Sequence, residues 1–289
     1  MKILRPIIFI SVPRLLNKIY SRLLFETLNA PGVRGFLFRR AFLSKRRNFE
    51  ASGALCHSFW DALLFSKIAS VFGGRIKYVI CGSAPINPTV LQFLRVVLSA
   101  QVFEGYGATE SSACGSITTE GDPLCGSVGF ATIGGKIRLV DVPELNYSVA
   151  DSPQPRGEIL ISGPFVFSGY YKDDNMTAST LTPDGWLQTG DIGTVDRDGR
   201  LYVIDRKKHV FKLAQGEYIA PEKLEKVYSE SRFINQIFVD GDSLFSFIVA
   251  VVVPEADYID PVIYQDKKKL ERFLLEELNS IAVAQGLLK

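Results

Sequence analysis

Apolar residues recur with a helical period in some segments of the chain and with a strand period in others. A short apolar run at 7–12 predicts a buried strand. Pro13 then begins a segment, reaching to about Leu28, whose leucines recur at helical spacing. The basic stretch at 34–47 is typical of the solvated face of a helix, with a contact to membrane phosphates or CoA as the alternative.

A strand–loop–helix–strand unit follows. The strands are predicted at 76–80 and 101–103, and the helix between them at 89–99. Strands that alternate with helices indicate a parallel sheet. We therefore expect the loops at 82–88 and after Phe103 to lie at one edge of that sheet, where α/β proteins bind ligands.

From about residue 126 the pattern changes to that of strands alone. Short alternating runs at 136–140, 158–161 and 201–204 are separated by Gly, Pro and Asp turns. This arrangement predicts a β-rich subdomain at about 126–204.

Beyond Asp205 a basic linker leads to a final α+β segment. We expect helices at 221–229 and 267–280, with strands at 236–240 and 245–253 between them. The second of these strands contains the longest apolar run of the chain, so it is predicted to be buried.

Composition and charge exclude several classes of protein. Hydrophobic residues make up 47% of the 289 residues and charged residues 22%, as in soluble globular proteins. The net charge of +2 provides no general attraction for nucleic acid. No apolar run approaches the roughly 20 residues of a membrane-spanning helix. The four cysteines form no C-x-x-C pair of the kind that binds zinc, so reduced thiols in a cytosol-facing protein are expected.

Small residues occupy both loops after the predicted parallel strands. The first loop, 81–85, lets backbone atoms approach a flat ligand closely, although many strand–helix turns look this way for packing reasons. The second loop, 104–110, holds Tyr106 between two glycines, where its ring could stack on a base. Thr109 can donate to a phosphate oxygen, and Glu110 can hold Mg²⁺ against that phosphate.

Two further motifs lie in the second half of the chain. Asp191 ends the sequence DGWLQTGD at a tight turn, from which a carboxylate can accept both hydroxyls of a ribose. Arg206, within the segment 204–225, can reach a nucleotide hydroxyl or phosphate. Taken singly, T-G-D is a common turn and 205–212 is an ordinary solvated linker.

Together the four motifs resemble those of the adenylate-forming acyl-CoA synthetases. They are CGSAP, EGYGATE, DGWLQTGDIG and DRKKHVFKLAQGEYIAPEKLE, in this order and spacing. The last is especially similar to the animal-type long-chain fatty acyl-CoA synthetases, and the similarity runs from about Pro6 to the final residue.

The resemblance implies an α/β fold that is an incomplete version of the adenylate-forming enzyme fold. Part of the large N-terminal AMP-binding domain would occupy 1–204, including the β-rich subdomain. A hinge linker would follow at 205–210, and a truncated small α+β C-terminal domain at 211–289. Such an incomplete sheet would expose edges and apolar surface, so poor solubility is expected for the chain in isolation.

The resemblance also implies a two-step reaction. A fatty carboxylate and ATP give acyl-AMP and pyrophosphate, after which CoA takes the acyl group and AMP leaves. Thr109 would contact the α-phosphate, Glu110 would bind Mg²⁺, and Asp191 and Arg206 would hold the ribose. The remaining nucleotide-binding positions would be Gly82, Ser83, Ala84, Gly105, Tyr106 and Gly107.

The second half-reaction would involve the hinge and the segment after it. Asp205, Lys207 and Lys208 would belong to the hinge. The positions that would move into the site for thioester formation are Lys212, Gly216, Glu217 and Tyr218. The enzyme would face the cytosol and associate with a membrane, at the endoplasmic reticulum, mitochondrial outer membrane or peroxisome.

Several departures from the family pattern leave alternatives open. The family's phosphate loop would precede residue 1 and its catalytic lysine would follow residue 289, so we expect 1–289 alone to be inactive. Gln188 replaces a usual histidine, and 194–195 replaces a bulkier aromatic stretch, which leaves the preferred fatty acid open. A short regulatory or interaction form of such an enzyme is one alternative, and an adenylating enzyme with an acceptor other than CoA is another.

Overall fold

The computed structural model describes residues 1–84, 86–207, 209–215, 218–242, 244–285 and 287, with the backbone alone at Lys212. Its α-helices, numbered in chain order, are α1 (Pro13–Glu26), α2 (Gly32–Ser52), α3 (Ser58–Trp60), α4 (Ser66–Val71), α5 (Pro88–Leu98), α6 (Asp174–Thr180), α7 (Pro221–Tyr228), α8 (Pro261–Gln265) and α9 (Lys267–Ala284). A π-helical turn, Asp61–Phe65, joins α3 to α4. Short 3₁₀ turns lie at Thr109–Ser111, Pro143–Leu145 and Ala256–Tyr258.

The strands form sheets that follow one another along the chain. They are β1 (Ile8–Ser11), β2 (Tyr78–Cys81), β3 (Gln101–Tyr106), β4 (Ser116–Ile117), β5 (Phe130–Ala131), β6 (Lys136–Val140), β7 (Arg156–Ser162), β8 (Leu187–Val195), β9 (Leu201–Arg206), β10 (Phe211–Lys212), β11 (Tyr218–Ile219), β12 (Ile234–Gly241) and β13 (Ile248–Pro254). The order β1-β2-β3-β4-β5 makes one sheet and β6-β7-β8-β9 another, while β10-β11 and β12-β13 are two-stranded.

The first sheet carries the parallel strands that the sequence predicts. β1, β2 and β3 run parallel, and β4 and β5 add antiparallel pairs at its far side. Val79, Cys81 and Val102 are buried against α1, α2, α4 and α5, which together form the larger core. This arrangement places the loops after β2 and β3 side by side.

The prediction of a buried strand at 7–12 is wrong for four of its six side chains, those of Ile7, Ile8, Ile10 and Val12. Ile8 is 53% exposed and Ile10 75% exposed, whereas Ser11 on the opposite face is buried. The reason is that β1 lies at the edge of the sheet and the helices pack on one face only. Parallel sheets are usually covered on both faces, so this face presents an unusual apolar surface among the described residues.

Helix α5 is the central helix of this core, and both of its ends are defined by local chemistry. Asn87 caps the N-terminus, with its side chain accepting from Thr89 N at 2.7 Å, and Pro88 occupies the first turn. The chain leaves the helix at Ser99 in a left-handed conformation. Arg95, although buried, donates to the carbonyls of Asp122 and Val102 and so ties the helix to the sheet.

The second sheet matches the β-rich segment that the alternating runs predict. All of its strands pair antiparallel, and Ile159, Ile161, Leu187 and Leu201 form its core. The register of the β8–β9 pair shifts between Ile192 and Gly193. β9 continues through Arg206, two residues beyond its predicted end, so the predicted hinge begins inside a strand.

The last sheet differs from expectation in its burial. β13 was predicted to be buried, yet Val249, Val251 and Val253 are all exposed, with the exposed Phe238 opposite Val251 on β12. The other face packs against α7, where Val239 is buried. A continuous apolar run therefore corresponds here to a strand that is covered on one side. No helix in the described ranges is both long and apolar enough to cross a membrane.

Lys45 is an exception to the solvated face that the basic stretch predicts. It is 2% exposed, and its Nζ donates to Asp61 Oδ1 at 2.5 Å and to Ser99 Oγ at 2.7 Å. The ammonium also lies 4.5 Å from the centroid of the Phe65 ring. Burial lowers the pKa of Lys45, and the bond to Asp61 opposes that effect. The pair thus joins α2 to the π-helical turn and to the end of α5.

Replacing Asp61 with Asn is expected to destabilise the chain by about 3 kcal/mol, because the buried Lys45 charge then loses its counterion. Urea unfolding at neutral pH measures this free energy. The matched control is Glu26→Gln, which removes the exposed i,i+4 pair Arg22–Glu26 and is expected to cost less than about 1 kcal/mol. Equal losses of unfolding free energy for the two variants would show that the buried Lys45–Asp61 pair contributes no more than an exposed pair.

Candidate nucleotide-binding site

The two loops at the carboxyl ends of β2 and β3 meet backbone to backbone. Cys81 and Glu104 are partners in the parallel register, and a Cβ built on Gly82 would lie 3.2 Å from the carbonyl oxygen of Gly105. Ser83 and Ala84 follow as exposed residues, and Ser83 has a positive φ of 74°. The two loops therefore lie next to each other at the sheet edge, with small residues at 82–84 and at Gly105.

The second loop begins later than predicted because β3 extends through Tyr106. Gly107 follows, and a Cβ there would lie 2.5 Å from the carbonyl carbon of Ala113, so no larger residue fits. Thr109 is exposed at the start of the 3₁₀ turn, which the Ser111 hydroxyl closes by accepting from Ala108 N at 3.0 Å. The tight turn presents Thr109 to solvent at this edge.

Asp191 joins three of the predicted motifs. Its Oδ2 accepts from the Tyr106 hydroxyl at 2.7 Å, and its Oδ1 accepts from Arg206 Nε at 3.0 Å. The carboxylate is buried, and burial raises the pKa of Asp191 against the opposing effects of Tyr106 and Arg206. Burial and the neighbouring carboxylate also raise the pKa of the Tyr106 phenol, which therefore stays a donor.

The irregular segment of β8 that carries Asp191 is held from both sides. Thr189 Oγ1 donates to the Ile159 carbonyl at 2.7 Å and accepts from Asp191 N at 3.1 Å. Gly190 adopts a positive φ of 71°, and its N–H donates to Glu158 Oε1 at 3.2 Å. The tight turn predicted at T-G-D is therefore wrong: these residues lie within β8, where the register against β7 shifts between Glu158 and Leu160, and this bulge orients the carboxylate.

Glu110 has a partner that the sequence reasoning missed. Its Oε1 accepts from the Tyr170 hydroxyl at 2.6 Å, which raises the pKa of the Tyr170 phenol. No group of three or more His, Cys, Asp or Glu that could hold a metal occurs in the described part of the chain. A single carboxylate nevertheless suits Mg²⁺, which is commonly held by one or two carboxylates together with substrate phosphates and water.

The predicted hinge starts at a buried carboxyl. Asp205 is fully buried, its Oδ1 accepts from Arg206 N at 2.6 Å, and its Oδ2 has no partner among the described residues. Burial raises the pKa of Asp205 to about 6. Lys207 pairs with Glu144 at 2.9 Å and with Glu158 at 3.4 Å.

The structure brings together only part of the predicted set. Tyr106, Asp191 and Arg206 are in direct contact, whereas Lys212 and Tyr218 lie opposite each other on the β10–β11 hairpin. The predictions at Lys208, Gly216 and Glu217, and at the Lys212 side chain, fall outside the described residues. Tyr170, Glu158 and Thr189 were missed. The aromatic pair after Gly169 was the available signal for Tyr170, while nothing local distinguishes Glu158.

Comparison with known sequences decides the family. The sequence model described as AMP-binding enzyme matches residues 1–171. The chain belongs to the AMP-binding enzyme family. The chain is 46% identical over 279 residues to a peroxisomal long chain acyl-CoA synthetase 7 of Arabidopsis thaliana, covering 96% of the chain and 39% of the relative. It is 44% identical over 300 residues to long-chain-fatty-acid–CoA ligase 6 of Homo sapiens, covering 99% and 42%.

Solved structures place the fold in the same superfamily. The adenylation domain of a carboxylic acid reductase from Segniliparus rugosus, determined with AMP and a co-purified carboxylic acid, superposes with a TM-score of 0.73 at 30% identity. That alignment covers 100% of this chain and 41% of the other. The predicted adenylate-forming fold is therefore confirmed, and the chain spans about two fifths of the length of these relatives.

Another buried carboxyl, that of Glu104, lies on β3. Glu104 is 6% exposed, and its Oε2 has no partner within the described ranges. Burial raises its pKa from an ordinary 4.5 to about 7, against the opposing effects of Lys226 and of a hydrogen bond from the Ile86 backbone. Below pH 4.5 the group is protonated in the folded and the unfolded chain alike. Between pH 4.5 and 7 only the unfolded chain ionises, so stability falls as pH rises through this window and levels off above it.

Glu104→Gln is expected to remove this pH dependence, because the amide keeps an acceptor for Ile86 and carries no charge. The rise of the pKa from 4.5 to about 7 corresponds to about 3 kcal/mol. The variant should gain up to that amount over the parent chain at pH 8 and match it near pH 4. Thermal unfolding across this range measures the gain, with the exposed Glu120→Gln as control. An equal gain at both pH values would contradict the assignment.

Proposed function

We propose that this chain provides the nucleotide-binding part of an AMP-forming fatty acid–CoA ligase. The observation that carries the proposal is the contact of Tyr106 and Arg206 with the buried carboxylate of Asp191. The Asp191 carboxylate could accept the hydroxyls of a ribose. The backbone at 82–84 and the exposed Thr109 hydroxyl suit the base and the phosphate of the same nucleotide. The relatives that are named as long-chain fatty acid–CoA ligases support the choice of substrates.

In the first half-reaction the chain would bind and orient the nucleotide. The backbone at 82–84 and at Gly105 would lie against the adenine, and Asp191 would accept the ribose hydroxyls with lone pairs that Tyr106 and Arg206 leave available. Thr109 would donate to the α-phosphate as the fatty carboxylate attacks it and pyrophosphate leaves. Fixed donors that are already in place stabilise the charge that develops there.

Mg²⁺ fits this scheme at Glu110. The cation would neutralise charge on the phosphates, and Glu110 would supply one oxygen ligand, with phosphate oxygens and water completing the shell. The Tyr170 hydroxyl holds the carboxylate in place and is an additional positioning group.

In the second half-reaction the segment after the hinge would change position. The segment 205–210 would act as the hinge, and 212–218 would approach the acyl-adenylate as the CoA sulfur attacks the acyl carbon and AMP leaves. We infer that fatty acid, ATP and CoA are the substrates. Localisation at a cytosol-facing membrane surface, the peroxisome included, is part of this proposal.

Nucleotide binding by the chain itself is the first test. Asp191→Asn is expected to raise the Kd for AMP at least tenfold, since the neutral amide is a weaker acceptor than a carboxylate. Isothermal titration with AMP measures the affinity. Asp174→Asn is the control, because Asp174 is an exposed carboxylate in the first turn of α6. Equal affinities for the two variants, or no binding by the parent chain, would overturn the assignment.

Turnover is measured in the longest native polypeptide that contains these residues. With palmitate, ATP and CoA, Asp191→Asn is expected to lower AMP formation about 100-fold or more, in line with loss of a group that is essential for positioning. Asp174→Asn should stay within about twofold. Full activity of Asp191→Asn would contradict the proposed role. AMP formation by the parent polypeptide that does not depend on CoA would indicate another acceptor.

A further inference from the structure

Glu158 and Lys207 form a closed ring of contacts with Gly190, in the irregular segment of β8 that carries Asp191. The Gly190 N–H donates to Glu158 Oε1 at 3.2 Å, and the Lys207 N–H donates to the Gly190 carbonyl at 2.8 Å. The Lys207 ammonium closes the ring on Glu158 Oε2 at 3.4 Å. Three chain segments that are far apart in the sequence thus meet at one carboxylate.

The ring connects two parts of the proposed mechanism. Gly190 immediately precedes Asp191, the proposed ribose ligand. Lys207 immediately follows Arg206, whose side chain donates to the Asp191 carboxylate. Any movement of the segment at 205–210 away from β8 must break the Lys207 contacts. Glu158 therefore contacts the segment that carries Asp191 with one oxygen and the start of the hinge with the other.

We propose that Glu158 is a positioning residue that latches the hinge, through Lys207, to the segment of β8 that carries the proposed ribose ligand Asp191. The latch holds Arg206 against Asp191, and its release accompanies the rotation between the two half-reactions. The link between release of the latch and this rotation rests on the proposed function. The contact itself stands on the geometry of the ring.

Burial distinguishes Glu158 from the second acceptor of Lys207. Glu158 is 9% exposed and lies on β7, in the middle of the second sheet. The Glu144 side chain is 58% exposed, against 11% for the Glu158 side chain, and lies in a 3₁₀ turn, although its distance to Lys207 is shorter. An exposed pair is screened by water and contributes little, while a pair beside a buried carboxylate is screened less. Glu144 therefore provides a matched control, with the same charge and the same partner.

The test compares Glu158→Gln with Glu144→Gln in the full 289-residue chain, by hydrogen exchange of backbone amides. The glutamine oxygen can still accept from Gly190 N–H, so the change isolates the charged contact with Lys207. We expect exchange of the Gly190 and Lys207 amides to rise at least tenfold in Glu158→Gln and less than about twofold in Glu144→Gln.

Lys207→Met provides the same test from the other side of the pair. It should accelerate the same amides, and the double variant Glu158→Gln/Lys207→Met should exchange no faster than either single variant, since both remove one interaction. Additive acceleration, equal effects of Glu158→Gln and Glu144→Gln, or a lowered Tm with unchanged local exchange would overturn the latch.

Nucleotide titration separates this inference from the proposed function. If the parent chain fails to bind AMP while the exchange pattern is as expected, the proposed function fails and the latch stands. If AMP binds and the exchange pattern is absent, the latch fails alone. In the longest native polypeptide, Glu158→Gln should change the ratio of acyl-AMP formation to thioester formation by about threefold or more, while Glu144→Gln leaves that ratio unchanged.

Discussion

The arrangement of the site depends on one buried carboxylate, that of Asp191. A charge that is removed from water is tolerated only when hydrogen-bond donors compensate it, and here the donors come from two other elements, the end of β3 and the end of β9. The requirement to compensate Asp191 therefore fixes the relative position of the two sheets at this point. The loops after β2 and β3 are positioned next to Asp191 as a result, because both follow strands of the parallel sheet to which Tyr106 belongs.

The same constraint gives the region after β9 a defined starting point. Arg206 contacts Asp191, and the next residue returns to Gly190 through its backbone N–H. Asn87, at the start of α5, donates to Glu230 just beyond α7 at 3.1 Å, so the last part of the chain is also tied to the first. These contacts are hydrogen bonds between polar groups.

The sequence allowed the parallel strands, the β-rich segment and the main helices to be predicted to within a few residues, because their periodicity and turn residues are local signals. The nucleotide-binding residues came from four motifs and from the family that they resemble. Burial was less predictable. The exposed sides of β1 and β13 look like buried strands in the sequence, since an apolar residue does not specify what covers it.

Contacts between distant residues were also missed. Tyr170 meets Glu110 across 60 positions, and Lys207 meets Glu158 across 49. A single sequence contains no pattern that links such pairs. Lys45 was missed for a related reason, because its charge assigned it to a solvated face and only the position of Asp61, in an unusual π-helical turn, explains its burial.

The uncovered faces of the first sheet and of the β12–β13 sheet have a consequence for the heat capacity of unfolding. Unfolding raises the heat capacity in proportion to the apolar surface that it newly exposes to water, about 12–15 cal/mol/K per residue for ordinary globular chains. Ile8 and Ile10 on β1 and Val249 and Val251 on β13 are already in contact with water in the folded chain, so their exposure adds little. The stability curve of this chain should consequently be flatter than that of a fully covered protein of the same length.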